Sequence, residues 1–543
     1  MTITPRSIVR SLAISTLSPV HIGCDEVYEP SGFVIHDGLL HVLDPADLAA
    51  ALTDNERRQL ATLADQREPI GALQRFFRDA AARFSEIARQ QVAVAPELAR
   101  EYSVKAGRPT QRDPNGEATY NSFQFARTAF RPIDGTPYLP GSSLKGSIRT
   151  AWLNYLNANK PLNPTEKTDR RRASQSLEQR LLKYAAGRFQ DDPFRHLALA
   201  DAHPEEESPP PPTRVLYAIS KKKRPPCADD RLSPEQKVFL ETVPEAVPAA
   251  FLGEIRFAPG ATILWDALCD ACNTFYRPQL EDELQHPVLA APLDADWARL
   301  IYRLLGDELG ELIKARQGFL LRVGRHSGAE SVTLGGVRSI KIMRPDGQQP
   351  EYRPITTEKR YSSLTRSGNG GLLPFGWLWV DACDDRHRHL SDSVREKLAV
   401  RSRPLREAHA DRLMHLEEQA EQRAAAALAI ARRKAADEAA ALAEAEARQA
   451  RDHALAAMSP NRRRVEEFCA DFAARADQLR GKPENANGVF HGKARALARD
   501  AAAWNQEERV AAADAIEQWL PKVVRVDIRD ERKKLKLAAL RPA

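Results

Sequence analysis

The sequence predicts an α+β fold, and three stretches carry that prediction. Residues 8–17 alternate apolar and polar side chains loosely, the period of a half-buried strand. Phe33-Val-Ile-His36 and Leu39-Leu-His-Val42 flank Asp37-Gly38, a pair that accepts the positive φ of a two-residue hairpin turn. From Tyr138 an extended segment turns at Gly141 into a helical pattern, where Leu144, Ile148, Ala151, Trp152 and Tyr155 share one face. Ser142 or Ser143 is placed to cap that helix.

The other elements follow in chain order. Asp44-Pro45 opens a helical stretch that runs, with breaks, to about Arg100, and its apolar face of Leu73, Phe76, Phe77, Ala80 and Phe84 is predicted to be core. Residues 107–116 are polar, basic and turn-rich, and read as a mobile loop. A strand-turn-strand is expected over 254–267 around Pro259-Gly260, with further strands at 320–323 and 376–380. The runs EEESPPPP (205–212) and KKKRPP (221–226) read as surface insertions. After residue 401 no proline appears until Pro460, and Ala, Glu, Arg and Gln dominate, the signature of a long exposed helix. Residues 461–543 form a small helical domain around Phe468, Phe472, Leu479, Trp504 and Trp519, with a basic tail. The organisation is thus 1–400, carrying a helical insertion over about 45–106 and a Pro/basic-rich one over about 202–250, then 401–460 and 461–543.

Composition narrows the function classes. A chain of 543 residues is too long for one small core, and its net charge of +6 is a weak pointer to an anionic partner. Six scattered cysteines suit a reducing cytoplasm. Cys269 and Cys272 make one CxxC, but no second pair stands ready to complete a four-ligand zinc site. Nowhere do about 18 apolar residues run together, so neither export nor membrane spanning is indicated. No cofactor, metal or catalytic residue is expected.

The segment GSSLKG at 141–146 has the chemistry of an anion site. Glycines let the backbone approach, free N–H groups open a helix, Lys145 adds a charge, and Arg149 follows one turn later on the same face. It is not a phosphate loop of the GxxxxGK[ST] type, because the lysine precedes the second glycine. An ordinary helix start with a packing glycine explains the same pattern equally well.

The run YLPGSSLKGSIRTAW (138–152) resembles the strand-turn-helix of the RAMP superfamily of CRISPR-associated RNA-binding proteins, and TLSPVHIG (16–23) resembles the opening of the same proteins. Together they are similar to the family of fifth Csm subunits of type III-A effector complexes. HLALAD (196–201), Gly253-Glu254 with Pro259-Gly260, CNTFY (272–276), and Arg322-Val-Gly324 with Gly328 follow in agreeing order. The resemblance spans about residues 8–381 and implies a ferredoxin-like, RRM-type core with large insertions. It implies a non-catalytic subunit that binds the CRISPR guide RNA, caps the filament near the RNA's 3′ end and supports its maturation in antiviral defence. The implied partners are the guide RNA, the other Csm subunits, and host RNases in 3′-end maturation.

By the same resemblance Gly141, Ser142, Ser143, Lys145, Gly146 and Arg149 touch the RNA backbone, with His21 and Gly23 nearby. The loop bearing Arg322, Gly324, Arg325, His326 and Gly328 resembles the family's C-terminal glycine-rich loops, as do Gly335-Gly336 and Gly368-Asn-Gly-Gly371, and tight hairpin turns explain those glycines equally well. Two other functions compete: an endoribonuclease using His21, His326 or Lys145, and a filament-backbone subunit that cleaves target RNA. A pure scaffold is a third. The 401–543 helices are expected to be a protein-docking arm, with the basic tail of 529–541 as an alternative extension of the RNA path.

Overall fold

The strand predicted over residues 8–17 forms as Ile8–Thr16, and Leu12 and Ile14 enter the core from it. It lies at the middle of a five-stranded antiparallel sheet, between Trp377–Asp381 and Val247–Phe257, with Gly318–Arg322 and Leu197–Leu199 at the edges. Ile14 pairs with Phe251 on one side and Val380 on the other, so buried apolar residues line up across three strands. Helix Gly141–Asn157 precedes Leu197–Leu199, and helix Trp265–Gln285 follows Val247–Phe257. The Tyr276 hydroxyl donates to the Ser147 carbonyl at 3.0 Å, which joins these two helices. Counting Ile8–Thr16, Leu197–Leu199, Val247–Phe257 and Trp377–Asp381 as first to fourth, the order across the sheet is 4-1-3-2. With a helix after the first and third strands, this is a ferredoxin-like core, to which Gly318–Arg322 adds an outer strand. Trp297, Trp377, Trp379 and Tyr276 fill its interior.

The computed structural model describes residues 6–65, 69–88, 90–112, 118–167, 172–205, 210–225, 238–344, 348–382 and 387–542. The chain divides into two compact units, Met1–Leu413 and Met414–Ala543.

Sequence reasoning gave no hint of a second, nine-stranded sheet in the first unit. The predicted hairpin sits at one end of it, Phe33–His36 against Leu39–Val42, with Asp37 and Gly38 at φ of 48° and 74°. The two presumed insertions supply much of the rest. The helical insertion contains Gln90–Val94, and the Pro/basic-rich one contains Arg214–Lys222 and Phe239–Thr242, which pair with one another or with hairpin strands. Short strands of four to nine residues carry little periodicity, which hides them within segments that read as insertions. Lys221 and Lys222 therefore end a strand, while part of each flanking run lies outside the described residues.

Two local expectations are corrected. Pro109–Arg112 pairs with Ala118–Tyr120, so the described ends of the expected loop are strands, and residues 113–117 lie outside the described residues. The expected second strand after Pro259-Gly260 is instead the start of helix Trp265–Gln285. Cys269 and Cys272 lie buried on that helix, and burial pushes both thiols up, which keeps them protonated.

The long helix begins earlier than composition suggested, at Arg388, and runs to Ala457. Within the first unit Val394 and Leu398 are buried, and Arg401 pairs with Asp294 at 3.1 Å, so this stretch belongs to the core. In the second unit the described side chains of the helix are almost all exposed. Helices Pro460–Leu479, Val489–Ala501 and Gln506–Val523 then close around Phe468, Phe472, Ile516 and Leu520. Of the five residues predicted for that core, Leu479, Trp504 and Trp519 pack at its margin.

Candidate nucleic-acid interface

Helix Gly141–Asn157 starts at the glycine itself. Pro140 is its N-cap residue, and neither Ser142 nor Ser143 caps it, because both already lie in the first turn. The Gly141 N–H donates to Asp201 Oδ1 at 2.7 Å, so a carboxylate of the chain occupies one of the free helix-start donors. A Cβ on Gly141 would lie 2.5 Å from the Leu199 carbonyl oxygen, which makes this glycine a packing residue. The packing reading therefore holds for Gly141. Gly146 differs: it is exposed, and nothing lies within 4 Å of where its Cβ would be. Ser142 is exposed too, and stands four residues earlier on the same helical face.

The two cations of this helix have different roles. Lys145 Nζ donates to the Leu197 carbonyl at 2.7 Å, and partial burial lowers its pKa; it has no carboxylate contact among the described residues. Arg149 is bound by Glu178 and by Asp192, with Nη2 2.8 Å from Asp192 Oδ2, and its guanidinium lies 4.9 Å from the Phe194 ring centre. Burial opposes the charge and these hydrogen bonds more than restore it. The expectation that Arg149 meets phosphate is corrected here, since two carboxylates already satisfy and neutralise it.

The turn 16–23 crosses from one sheet to the other and is held at nearly every residue. Gly376 N–H donates to the Pro19 carbonyl, Val20 exchanges backbone hydrogen bonds with Val243, and Ala129 N–H donates to Ile22. His21 is fully buried, and its Nδ1 donates to the Glu241 carbonyl at 2.7 Å. That removes its side chain from any surface contact; only Gly23 of the predicted pair is exposed. Burial drives the His21 pKa down to about 4, aided by the nearby Arg325 charge.

Beside this turn rises the loop 323–328. The Arg325 N–H donates to the His21 carbonyl at 2.9 Å, and Gly324, at φ 78°, lies so close that a Cβ would sit 2.1 Å from that oxygen. Arg325 is exposed, while His326 is half-buried against Phe375 with burial, Arg360 and Arg325 holding its pKa down at about 3. Gly328 supplies a second left-handed position at φ 86°. Arg322 is not part of this surface. It is 2% exposed, its Nη1 is 2.7 Å from Glu283 Oε1, and its guanidinium covers Trp377, so its expected RNA contact is corrected to a core ion pair.

Ser147 Oγ donates to the Arg322 carbonyl at 3.0 Å, which ties the Gly141 helix to the strand leading into the loop. Three segments far apart in sequence thus meet, and their exposed members are Ser142, Gly146, Gly23 and Arg325, with Ser143 and Lys145 partly exposed. Of the other glycine clusters, Gly335 and Gly336 pack against Asn154 and Asn159 near the far end of the Gly141 helix, and Gly368 packs against Ile219. Sequence reasoning placed Asp201 in a motif without a role and missed Glu283 and Arg360; Glu283 had one available signal, a lone carboxylate on an otherwise buried helix face.

The two depressed imidazoles have a measurable consequence. Above the ordinary value of 6.5 both states are neutral at His21; as pH falls below it the unfolded chain takes up a proton that the folded chain refuses until about pH 4. Stability should therefore fall across that window, by about 2 kcal/mol at pH 5 from His21 alone at 1.36 kcal/mol per pKa unit. Denaturant melts at pH 7 and 5 check this, and His21→Asn, which keeps a donor for the Glu241 carbonyl, should flatten the difference.

Comparison with known proteins comes from three sides. The RAMP superfamily matches residues 13–275. The chain is 23% identical over 303 residues, 54% of this chain and 80% of the relative, to the CRISPR system Cms protein Csm5 of Streptococcus thermophilus. A subunit in the cryo-EM structure of the Csm–crRNA–target RNA ternary complex of a type III-A CRISPR-Cas system is similar with a TM-score of 0.45 and 17% identity, covering 69% of this chain and 100% of that subunit. The crystal structure of T. onnurineus Csm5 gives 0.41 and 17%, over 68% and 99% of the two chains.

Proposed function

We propose that this chain, whose residues 13–275 match the RAMP superfamily, is a non-catalytic guide-RNA-binding subunit of a type III-A Csm effector complex, working in the cytoplasm. It caps the filament of Csm subunits near the 3′ end of the CRISPR RNA, where host RNases trim what it leaves unprotected. The RNA backbone runs over the exposed turn of Ser142, Ser143 and Gly146, between Lys145 and the 323–328 loop, with Gly23 beside it. The observation that carries this reading is the convergence of the three motif segments at one rim, tied by the Arg325–His21 and Ser147–Arg322 hydrogen bonds. Glycine without neighbours at 146 lets a sugar-phosphate chain approach the helix backbone, and Arg325 supplies a charge to meet it.

A cleavage role finds less support in the same geometry. General acid–base catalysis at a 2′-hydroxyl needs a base and an acid within hydrogen-bond reach of it, and His21 is sealed from solvent.

Lys145→Ala and Arg325→Ala should each weaken binding of single-stranded RNA by a similar factor for every sequence. Each should also flatten the plot of log affinity against log salt by roughly 0.7, the value per phosphate on a single strand. Arg149→Ala should leave that slope unchanged while lowering thermal stability, because it strands Glu178 and Asp192. Anisotropy titrations at several salt concentrations make the comparison. Unchanged slopes in both the Lys145 and Arg325 variants would overturn the proposed contacts.

A further inference from the structure

The second unit carries a cavity of about 380 Å³ between helix Val489–Ala501 and the segment made of helix Ile528–Lys534 and the following turn Leu537–Leu540. Its size is within the range of ligand pockets, roughly 300–1,000 Å³. Four cations line it, Arg495, Arg499, Lys534 and Lys536, over a floor that includes Ala498, Ala502 and Leu535, and no carboxylate lines it.

Several other cations of this unit pair with carboxylates. Arg532 and Arg541 share Glu517, Arg475 pairs with Glu484, and Lys493 pairs with Asp471. Among the described residues Arg495 hydrogen-bonds only the neutral amide of Asn487, at 2.9 Å. Arg499 is 80% exposed and shares Asp500 with Arg464, and Lys534 is 66% exposed and shares Glu531 with His491. Lys536 is exposed and makes no ion pair among the described residues. Arg495 and Arg499 thus stand on one wall of the depression, and Lys534 and Lys536 on the other.

We infer that this groove binds the sugar-phosphate backbone of single-stranded RNA, independently of the rim in the first unit. Arg495 and Arg499 are one helical turn apart, about 6 Å along the axis, and present forks that match phosphate oxygens in pairs. Lys534 and Lys536 face them as point charges from the opposite wall. Two charged walls suit a chain with an anion in every repeat unit. The floor of small apolar side chains offers no base-edge partner, so binding is independent of sequence.

The test uses the full-length chain, a fluorescein-labelled single-stranded RNA of mixed sequence, and the double variant Arg495→Glu/Lys536→Glu, with circular-dichroism melts as the folding control. RNA affinity at about 0.1 M salt is expected to fall at least about five-fold, and the salt slope to flatten by roughly 1.4, the share of two phosphates. Should the reversed charges unfold the helices, Arg495→Gln/Lys536→Gln is read instead, with the same slope change expected. Combined with Arg325→Ala, the losses should add, as for separated contacts. Loss in the groove variant but not in Arg325→Ala supports this groove while removing the rim. The converse removes the groove and spares the rim. Unchanged RNA affinity and slope overturn the inference, as does loss of binding to a labelled poly-glutamate peptide with RNA binding intact, which would make the groove a docking site for acidic protein.

Discussion

Replacing Glu283 by alanine should destabilise the first unit by about 3–5 kcal/mol, the usual cost of stranding buried charge. Glu283 is fully buried and receives Arg322 Nη1 at 2.7 Å, Lys359 Nζ at 3.0 Å and the Trp377 indole N–H at 2.8 Å. Burial alone would raise its pKa; Arg322 and Lys359 reverse this and hold it near 2. Without the carboxylate, Arg322, 2% exposed, has no ion-pair partner among the described residues, and Lys359, 8% exposed, keeps only Asp282 at 4.0 Å. Against a typical domain stability of about 5–15 kcal/mol, that loss is a large fraction of the total. The sign in pH follows from the depressed pKa. The stabilisation is present above 4.5, the ordinary value, and is lost as pH falls toward 2. Urea titration of the variant measures the cost, and a midpoint equal to that of the parent chain would show that the cluster does not hold the 318–322 and 377–381 strands together.

Gly324→Ala and Gly146→Ala should act in opposite directions on stability and in the same direction on RNA. At Gly324 a methyl would lie 2.1 Å from the His21 carbonyl oxygen at a φ of 78°, so the loop must move and the Arg325–His21 hydrogen bond must break. The left-handed backbone alone costs a non-glycine residue about 1–3 kcal/mol. RNA affinity should fall about ten-fold or more, since Arg325 moves with the loop; ten-fold corresponds to about 1.4 kcal/mol. At Gly146 there is open space, and alanine in a helix is favoured over glycine by up to about 1 kcal/mol, so the melting temperature should rise. The added methyl stands where the RNA backbone approaches, and affinity should fall nonetheless. A Gly146→Ala protein that is both more stable and equally tight would place the RNA path elsewhere.

The hairpin at Asp37-Gly38 was legible because its turn demands a specific backbone, and the Gly141 helix because Leu144, Ile148 and Ala151 recur at helical spacing and are buried, although Tyr155, assigned to the same face, is exposed. The second sheet was not, because its strands are short, buried and drawn from segments separated by long excursions. Site residues divided along a similar line. Ser142, Gly146, Gly23 and Arg325 were named on motif grounds and are exposed. His21, Arg149 and Arg322 were named on the same grounds, yet each is committed to the fold, and nothing in a motif distinguishes an arginine that meets phosphate from one that meets a buried carboxylate. That difference is set by Glu178, Asp192 and Glu283, which are 29, 43 and 39 residues away along the chain from their partners.

The central claim is that the exposed turn of the Gly141 helix and the 323–328 loop form one RNA-contacting rim. Ultraviolet cross-linking of the full chain to 4-thiouridine-labelled single-stranded RNA, followed by peptide mapping, tests it most directly. Cross-links should fall within 142–147 and 323–328, and those within 323–328 should be lost in Gly324→Ala. Cross-links that leave both segments unmarked, while labelling other surfaces of the first unit, would contradict it.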